Sequence, residues 1–234
     1  MNNRISIVGI DCATEPAKTG LALGYFENGA LGVQEARCAS RTEEAHRIAF
    51  EWLKSRPKGL IALDAPLGWP SALARSLEDH EAGNPLSESA NRMFRRVTDE
   101  EIWIRLRKRP FDVGANLIAR TAHAALVLME RLRDLLDDPI PLAWSPTWQG
   151  RFAAIEVYPA ATLLVRGLKG TPNRDKWLKR EVWRDRPLPP SSDARDAIVC
   201  LSAGADFLQG YARAPTELQL EAARREGWIW VRED

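Results

Sequence analysis

The chain has little of what builds metal clusters or disulfide scaffolds. It holds 3 cysteines and 3 histidines in 234 residues. Cys12, Cys38 and Cys200 are odd in number and far apart, which excludes a disulfide framework and a zinc-ligand pattern, and such sparsity fits a reducing compartment. His46, His80 and His123 show no ligand spacing. No Walker-type glycine-rich loop is present. No apolar run is long enough to span a bilayer, and the run before Asp11 lacks a signal-peptide cleavage pattern. A cytoplasmic protein without membrane attachment is therefore expected. One-sided charge is also missing: 33 Lys and Arg stand against 32 Asp and Glu, so bulk charge gives no argument for a polyanionic partner.

The composition that remains, 45% hydrophobic and 28% charged, is that of a folded domain. The length suits one α/β domain with a large core. Basic residues collect locally. Seven lie between Arg92 and Pro110 against three acids, and nine between Arg151 and Arg186 against four. These zones either face phosphates or form an ordinary ion-paired surface.

Residues 4–10 are apolar and β-branched, as a buried strand requires. Residues 20–26 and 30–38 follow as strands around the hairpin signal Asn28-Gly29. A helical stripe covers 42–54. Residues 60–63 form a fourth strand that stops at Asp64. Helices are expected over 69–80, from Thr98 (with Glu101 as capping partner), and over 116–136; residues 81–96 read as a loop or short helix. A fifth strand covers 153–157. Helices then cover 171–185, 193–208 with Ser191 or Ser192 as cap, and 216–225, and 228–231 form a terminal strand. The whole is one domain with a helical insertion at about 70–150. A three-strand meander followed by helix-linked strands fits the ribonuclease H-like α/β architecture: a central mixed five-stranded sheet, antiparallel then parallel, flanked by helices.

In that architecture the first and fourth strands are parallel neighbours, and ligands bind at their carboxyl ends. Asp11 ends the first and Asp64 the fourth. Glu156 lies near the end of the fifth, and Asp193 and Asp196 open the helix over 193–208. Asp11 and Asp64 alone read as turn formers after strands, and Asp193 and Asp196 as complements to a helix N-terminus; Glu156, within an apolar strand, is the hardest to explain so, because a buried acid needs a partner. Together they form a cluster whose repulsion a hard divalent cation relieves. Two such ions activate water and stabilise the leaving oxygen of a phosphodiester. Trp144, Trp148, Trp177 and Trp183 flank basic residues and either stack on bases or cover the core. Cys12 has no partner histidine and reads as a small packed residue.

Val8-Gly9-Ile10-Asp11, Ala62-Leu63-Asp64-Ala65-Pro66-Leu67-Gly68, Arg95-Arg96-Val97-Thr98-Asp99, Ile155-Glu156-Val157-Tyr158-Pro159-Ala160 and Asp193-Ala194-Arg195-Asp196-Ala197 resemble, in order, the motifs of the family catalogued as domain of unknown function 429. That family is described as predicted nucleases of ribonuclease H-like fold related to Holliday-junction resolvases. The resemblance implies Asp11, Asp64, Glu156 and Asp196 as ligands of Mg²⁺ or Mn²⁺, with Asp193 as a further ligand or general base. It puts Arg95, Arg96, Thr98 and Asp99 near the site. Arg96 either holds a phosphate or pairs with Asp99 to brace a loop, and Lys18 approaches phosphate from the stretch between Asp11 and Gly20. The expected activity is metal-dependent hydrolysis of DNA or RNA. The alternatives are a non-catalytic nucleic-acid-binding or adaptor module and an actin-like phosphotransferase. The oligomeric state is open, a dimer included.

Overall fold

Three strands arise where apolar β-branched residues alternate or run together: β1 (Ile5–Asp11), β2 (Gly20–Glu27) and β3 (Ala30–Cys38). The two-residue turn at Asn28 and Gly29 has both residues at positive φ, 52° and 77°, the conformation a tight hairpin needs. Two further strands, β4 (Gly59–Asp64) and β5 (Phe152–Glu156), follow later in the chain. The computed structural model describes residues 4–168, 170–184 and 186–233. Its sheet has the order β3-β2-β1-β4-β5. Strand β2 is antiparallel to β1 and β3, and β1, β4 and β5 are parallel. This is the ribonuclease H-like arrangement expected from the sequence.

Helix α1 (Ala45–Leu53) joins β3 to β4. Between β4 and β5 come α2 (Ser71–Leu77), α3 (Ala90–Phe94), α4 (Val97–Leu106) and α5 (Ile118–Leu136). After β5 come α6 (Pro159–Leu164), α7 (Thr171–Trp177), α8 (Ser192–Leu208) and α9 (Glu217–Glu226). Helix α6 was not foreseen; Pro159 occupies its first turn, where the missing N–H is harmless. The helix expected over 171–185 is α7 alone, which passes into a π-type turn at Leu178–Val182; its expected end at Asp185 lies outside the described residues. Helix α4 opens one residue early, and its first turn is closed by Asp99, whose Oδ2 accepts from the Arg96 N–H at 2.9 Å, not by Glu101. The terminal strand reduces to one parallel bridge, Glu156 to Ile229, beyond the β5 edge.

The sheet separates two apolar layers. Val8, Ile10, Ile61, Leu63 and Ala154 pack with α1 and α5. Ala62, Ala153 and Ile155 pack on the other face, under Ala203 and Phe207 of α8. Helix α8 lies unusually close to the strands. A Cβ on Gly9 would stand 2.3 Å from the Ala197 carbonyl oxygen, and one on Gly20 would stand 2.1 Å from that of Asp193. The glycines thus let the first turns of α8 touch the backbone of β1 and β2. Ser191 caps the helix, its Oγ accepting from the Asp193 N–H at 3.1 Å, which relieves one orphan donor of the first turn.

Candidate active site

Asp11 and Asp64 are register partners at the last rung of the β1–β4 ladder. Side chains alternate along a strand. Ala62 faces α8 and Leu63 faces the opposite layer, so Asp64 returns to the α8 side, as does Asp11 two residues beyond Gly9. Burial is the main cause that pushes the Asp11 carboxyl up to about 8, followed by repulsion from Asp196 and then Asp193, with Arg174 pulling back. Burial, then Asp11, Asp196 and Glu156, hold the Asp64 carboxyl well above the usual carboxylate range. Three of the expected acids, Asp11, Asp64 and Asp196, therefore share one neighbourhood, with Asp193 at its edge.

Asp196 is raised by burial and lowered by Arg174. Arg174 of α7 donates from Nη1 to Asp196 Oδ1 at 2.8 Å and to Ser192 Oγ at 3.2 Å, and from Nε to Asp175 Oδ1 at 3.0 Å. Asp193 accepts at Oδ2 from Ser191 Oγ at 3.3 Å.

Glu156 departs from the expected cluster. It pairs in register with Leu63, not Asp64, so alternation sends it to the same edge but the opposite face. There it is 3% exposed and takes Arg96 in a two-pronged ion pair, Nη2 to Oε1 at 2.7 Å and Nη1 to Oε2 at 2.8 Å. The Leu67 N–H adds a third bond at 3.0 Å. Burial raises its pKa and Arg96 lowers it.

Arg96 has no donor left for a phosphate. Beyond Glu156 it binds Asp99 Oδ2 through Nε at 3.1 Å, Asp99 Oδ1 through Nη2 at 2.9 Å and the Glu226 carbonyl through Nη1 at 3.2 Å. Of the two readings of Arg96, the bracing one matches this geometry. Thr98 is buried and its Oγ1 accepts from the Ile229 N–H at 2.8 Å. Arg95 pairs with Asp112 at 3.0 Å and Glu100 at 3.2 Å. Lys18 is exposed on the turn Pro16–Lys18 and pairs with Glu15 at 2.9 Å. The substrate contacts expected of Arg95, Arg96, Thr98 and Asp99 thus give way to a structural hub. Trp183 is buried, and Trp144, Trp148 and Trp177 pack at the margins of the core, so the core reading of the tryptophans fits.

Two cavities meet at Asp64 and Tyr158. One, about 500 Å³, also touches Arg174 and Asp196; the other, about 250 Å³, touches Cys12, Phe111 and Thr121. Burial and the Asp64 charge push the Tyr158 hydroxyl up to about 12, so it stands as a proton donor at neutral pH. Arg174 and Tyr158 were not singled out from sequence. Arg174 was one of nine basic residues in its zone, and only its bonds to Asp196 and Ser192 of α8 distinguish it.

Among the described residues no three His, Cys, Asp or Glu side chains are gathered around a single metal-sized point. The four-ligand set of the sequence reading is therefore not assembled. Asp11 and Asp64 still fit a hard divalent cation. They are oxygen donors on adjacent strands whose charges are mutually unfavourable without one, and Mg²⁺ needs only one or two carboxylates.

A family model matches residues 9–219. The chain belongs to DUF429, described as "Protein of unknown function". No curated protein sequence matches this DUF429 chain. Among solved structures it is similar to "T. thermophilus RuvC in complex with Holliday junction substrate", at 14% identity, covering 90% of this chain and 99% of that one, with a TM-score of 0.43. The sheet order and strand directions carry the fold assignment without that likeness. No helix among the described residues is long and apolar enough to cross a membrane.

Proposed function

We propose that this DUF429 protein hydrolyses phosphodiester bonds of nucleic acid with the help of Mg²⁺ or Mn²⁺ held by Asp11 and Asp64. The observation that carries the reading is the registered pair at the β1–β4 edge, both members raised first by burial, Asp11 further by Asp196 and Asp193, and Asp64 further by Asp11. When bound, the cation would polarise the phosphate and favour ionisation of water. Asp11 and Asp64 contribute four carboxylate oxygens on one face. Asp196 adds a third carboxylate, held in place by Arg174 and available to orient a water or a second cation. Asp193, in the same first turn of α8, serves as the general base. Tyr158 donates to an oxygen near Asp64. Glu156 acts at a distance, braced by Arg96 and anchoring the chain segment that follows Asp64 through the Leu67 N–H.

One observation favours a second reading, a nucleic-acid-binding module without turnover: Glu156 and Asp196 are each already satisfied by an arginine. Both readings meet one experiment. Purified protein is incubated with Mg²⁺ or Mn²⁺ and labelled single-stranded, duplex and branched DNA and RNA. Cleavage that chelation abolishes, and that Asp11→Asn and Asp64→Asn each reduce by about a hundredfold or more, supports hydrolysis. No cleavage of any substrate, with Mn²⁺ binding indifferent to Asp11→Asn, ends it. Binding that persists under chelation then supports the module.

A further inference from the structure

The larger cavity has a wall chemistry that the acids do not explain. Its lining holds Asp64 and Asp196 but is largely apolar, with Leu163, Leu164 and Leu168 beside Pro159 and Ala160. Two cations border it. Lys108 reaches it from the loop after α4, and Arg174 from α7. Its volume of about 500 Å³ lies in the range of small-ligand pockets, too small for a duplex and ample for one nucleotide.

Arg174 is the second, independent observation. It is 4% exposed. Its Nε and Nη1 are bound to Asp175, Ser192 and Asp196, yet its Nη2 is buried with no hydrogen-bond partner. A buried charged donor left unmade is costly and rare in folded proteins. Arg174 borders the cavity with this donor unmade, and the planar fork of a guanidinium matches the geometry of a phosphate oxygen. The apolar side chains of the same lining suit the face of a base, which every nucleotide has.

We infer that this cavity is the subsite for a single unstacked nucleotide of the substrate strand, with its base against Leu164 and Leu168 and its phosphate on Arg174 and Lys108. The inference rests on the phosphodiesterase reading and names its substrate class: a strand that presents an unpaired or extruded nucleotide at Asp64. A base still stacked in a duplex cannot enter such a pocket without leaving its neighbours.

The test is calorimetric titration of the full chain, with Mg²⁺ present, by deoxyadenosine 5′-monophosphate, deoxyadenosine and inorganic phosphate. Cleavage of single-stranded and duplex DNA is measured in parallel. The nucleotide is expected to bind more tightly than either fragment. Leu168→Trp, which fills the pocket, weakens it by about tenfold or more, and the exposed Lys108→Glu by about fivefold. Thermal melts of both variants check the fold. Nucleotide binding no tighter than phosphate, or unchanged in folded Leu168→Trp, overturns the subsite even if cleavage is intact. Tight nucleotide binding lost in Leu168→Trp supports the pocket. If cleavage is then absent on every substrate, the phosphodiesterase reading and the assignment of the pocket to a substrate strand are both overturned.

Discussion

Asp11 and Asp64 stand opposite one another on the final rung of two parallel strands, and burial raises the affinity of each for a proton. Asp11 is pushed up to about 8, far above the usual carboxylate range. The folded metal-free protein therefore holds a proton between about pH 4 and about pH 8 that the unfolded chain releases. Stability falls wherever the folded state binds more protons and pH rises. The midpoint of thermal unfolding in chelator should decline as pH goes from about 5 to about 8, and Asp11→Asn should flatten that decline and raise the midpoint at the alkaline end. A wild-type midpoint that climbs over this interval contradicts the shared burial of the pair.

Glu156 and Asp64 carry the same charge, and their strands end at the same edge, yet the geometry separates their roles. Asp64→Asn should abolish the rise in unfolding temperature that Mn²⁺ produces. Glu156→Gln should leave that rise in place while lowering stability in the absence of metal, because Arg96 loses its ionic partner inside the protein. Breaking a buried pair in this way costs about 3–5 kcal/mol when one partner is removed outright, and less for the isosteric amide. Urea titrations with and without Mn²⁺ separate the two effects. Equal loss of the Mn²⁺ response in both variants would return Glu156 to the ligand set.

Much of this was legible before the structure. The apolar runs ending at Asp11 and Asp64 fixed the strands, and the meander before α1 fixed their directions, so the central pair followed. Glu156 was misplaced because a one-residue offset in register, Leu63 rather than Asp64 opposite it, flips a side chain to the other face. Local sequence does not encode that offset. Local sequence does not decide between the two roles of Arg96, because its partners Glu156 and the Glu226 carbonyl lie 60 and 130 residues away. Arg174 was invisible for the same reason: its meaning comes from the contact of α7 with α8.

Glu226, at the end of α9, joins elements far apart in the chain. Its Oε1 accepts from the Ser71 N–H at 2.8 Å and its Oε2 from the Val97 N–H at 2.9 Å, so one buried carboxylate caps the first turns of both α2 and α4. Each cap of this kind is worth about 0.5–2 kcal/mol. Glu226→Ala should destabilise the protein by about 1–4 kcal/mol in urea unfolding, since both first turns lose an acceptor at once. A loss below about 0.5 kcal/mol, the range of ordinary surface substitutions, would show that water replaces the carboxylate at both ends.

The placement of Asp196 depends on a residue that carries no side chain. Gly20 begins β2 opposite Asp11, and its missing Cβ is the space in which the first turn of α8 sits, with the Asp193 carbonyl carbon 2.3 Å from where that Cβ would be. Gly20→Ala must push this turn outward, because the obstructing atoms are backbone on both sides and no side chain can rotate away. The displaced turn carries Asp193 and Asp196 with it, while Asp11 and Asp64 remain on their strands. Stability should fall by about 1–3 kcal/mol, the usual cost of overpacking. Mn²⁺ should still bind, since the strand pair is untouched, but metal-dependent cleavage should drop far more than binding. A comparable alanine at Gly150, which has open space around its Cβ position and a φ of 86°, strains only its own backbone and should leave cleavage as it was. If Gly20→Ala and Gly150→Ala prove alike in cleavage, α8 has no part in positioning the acids.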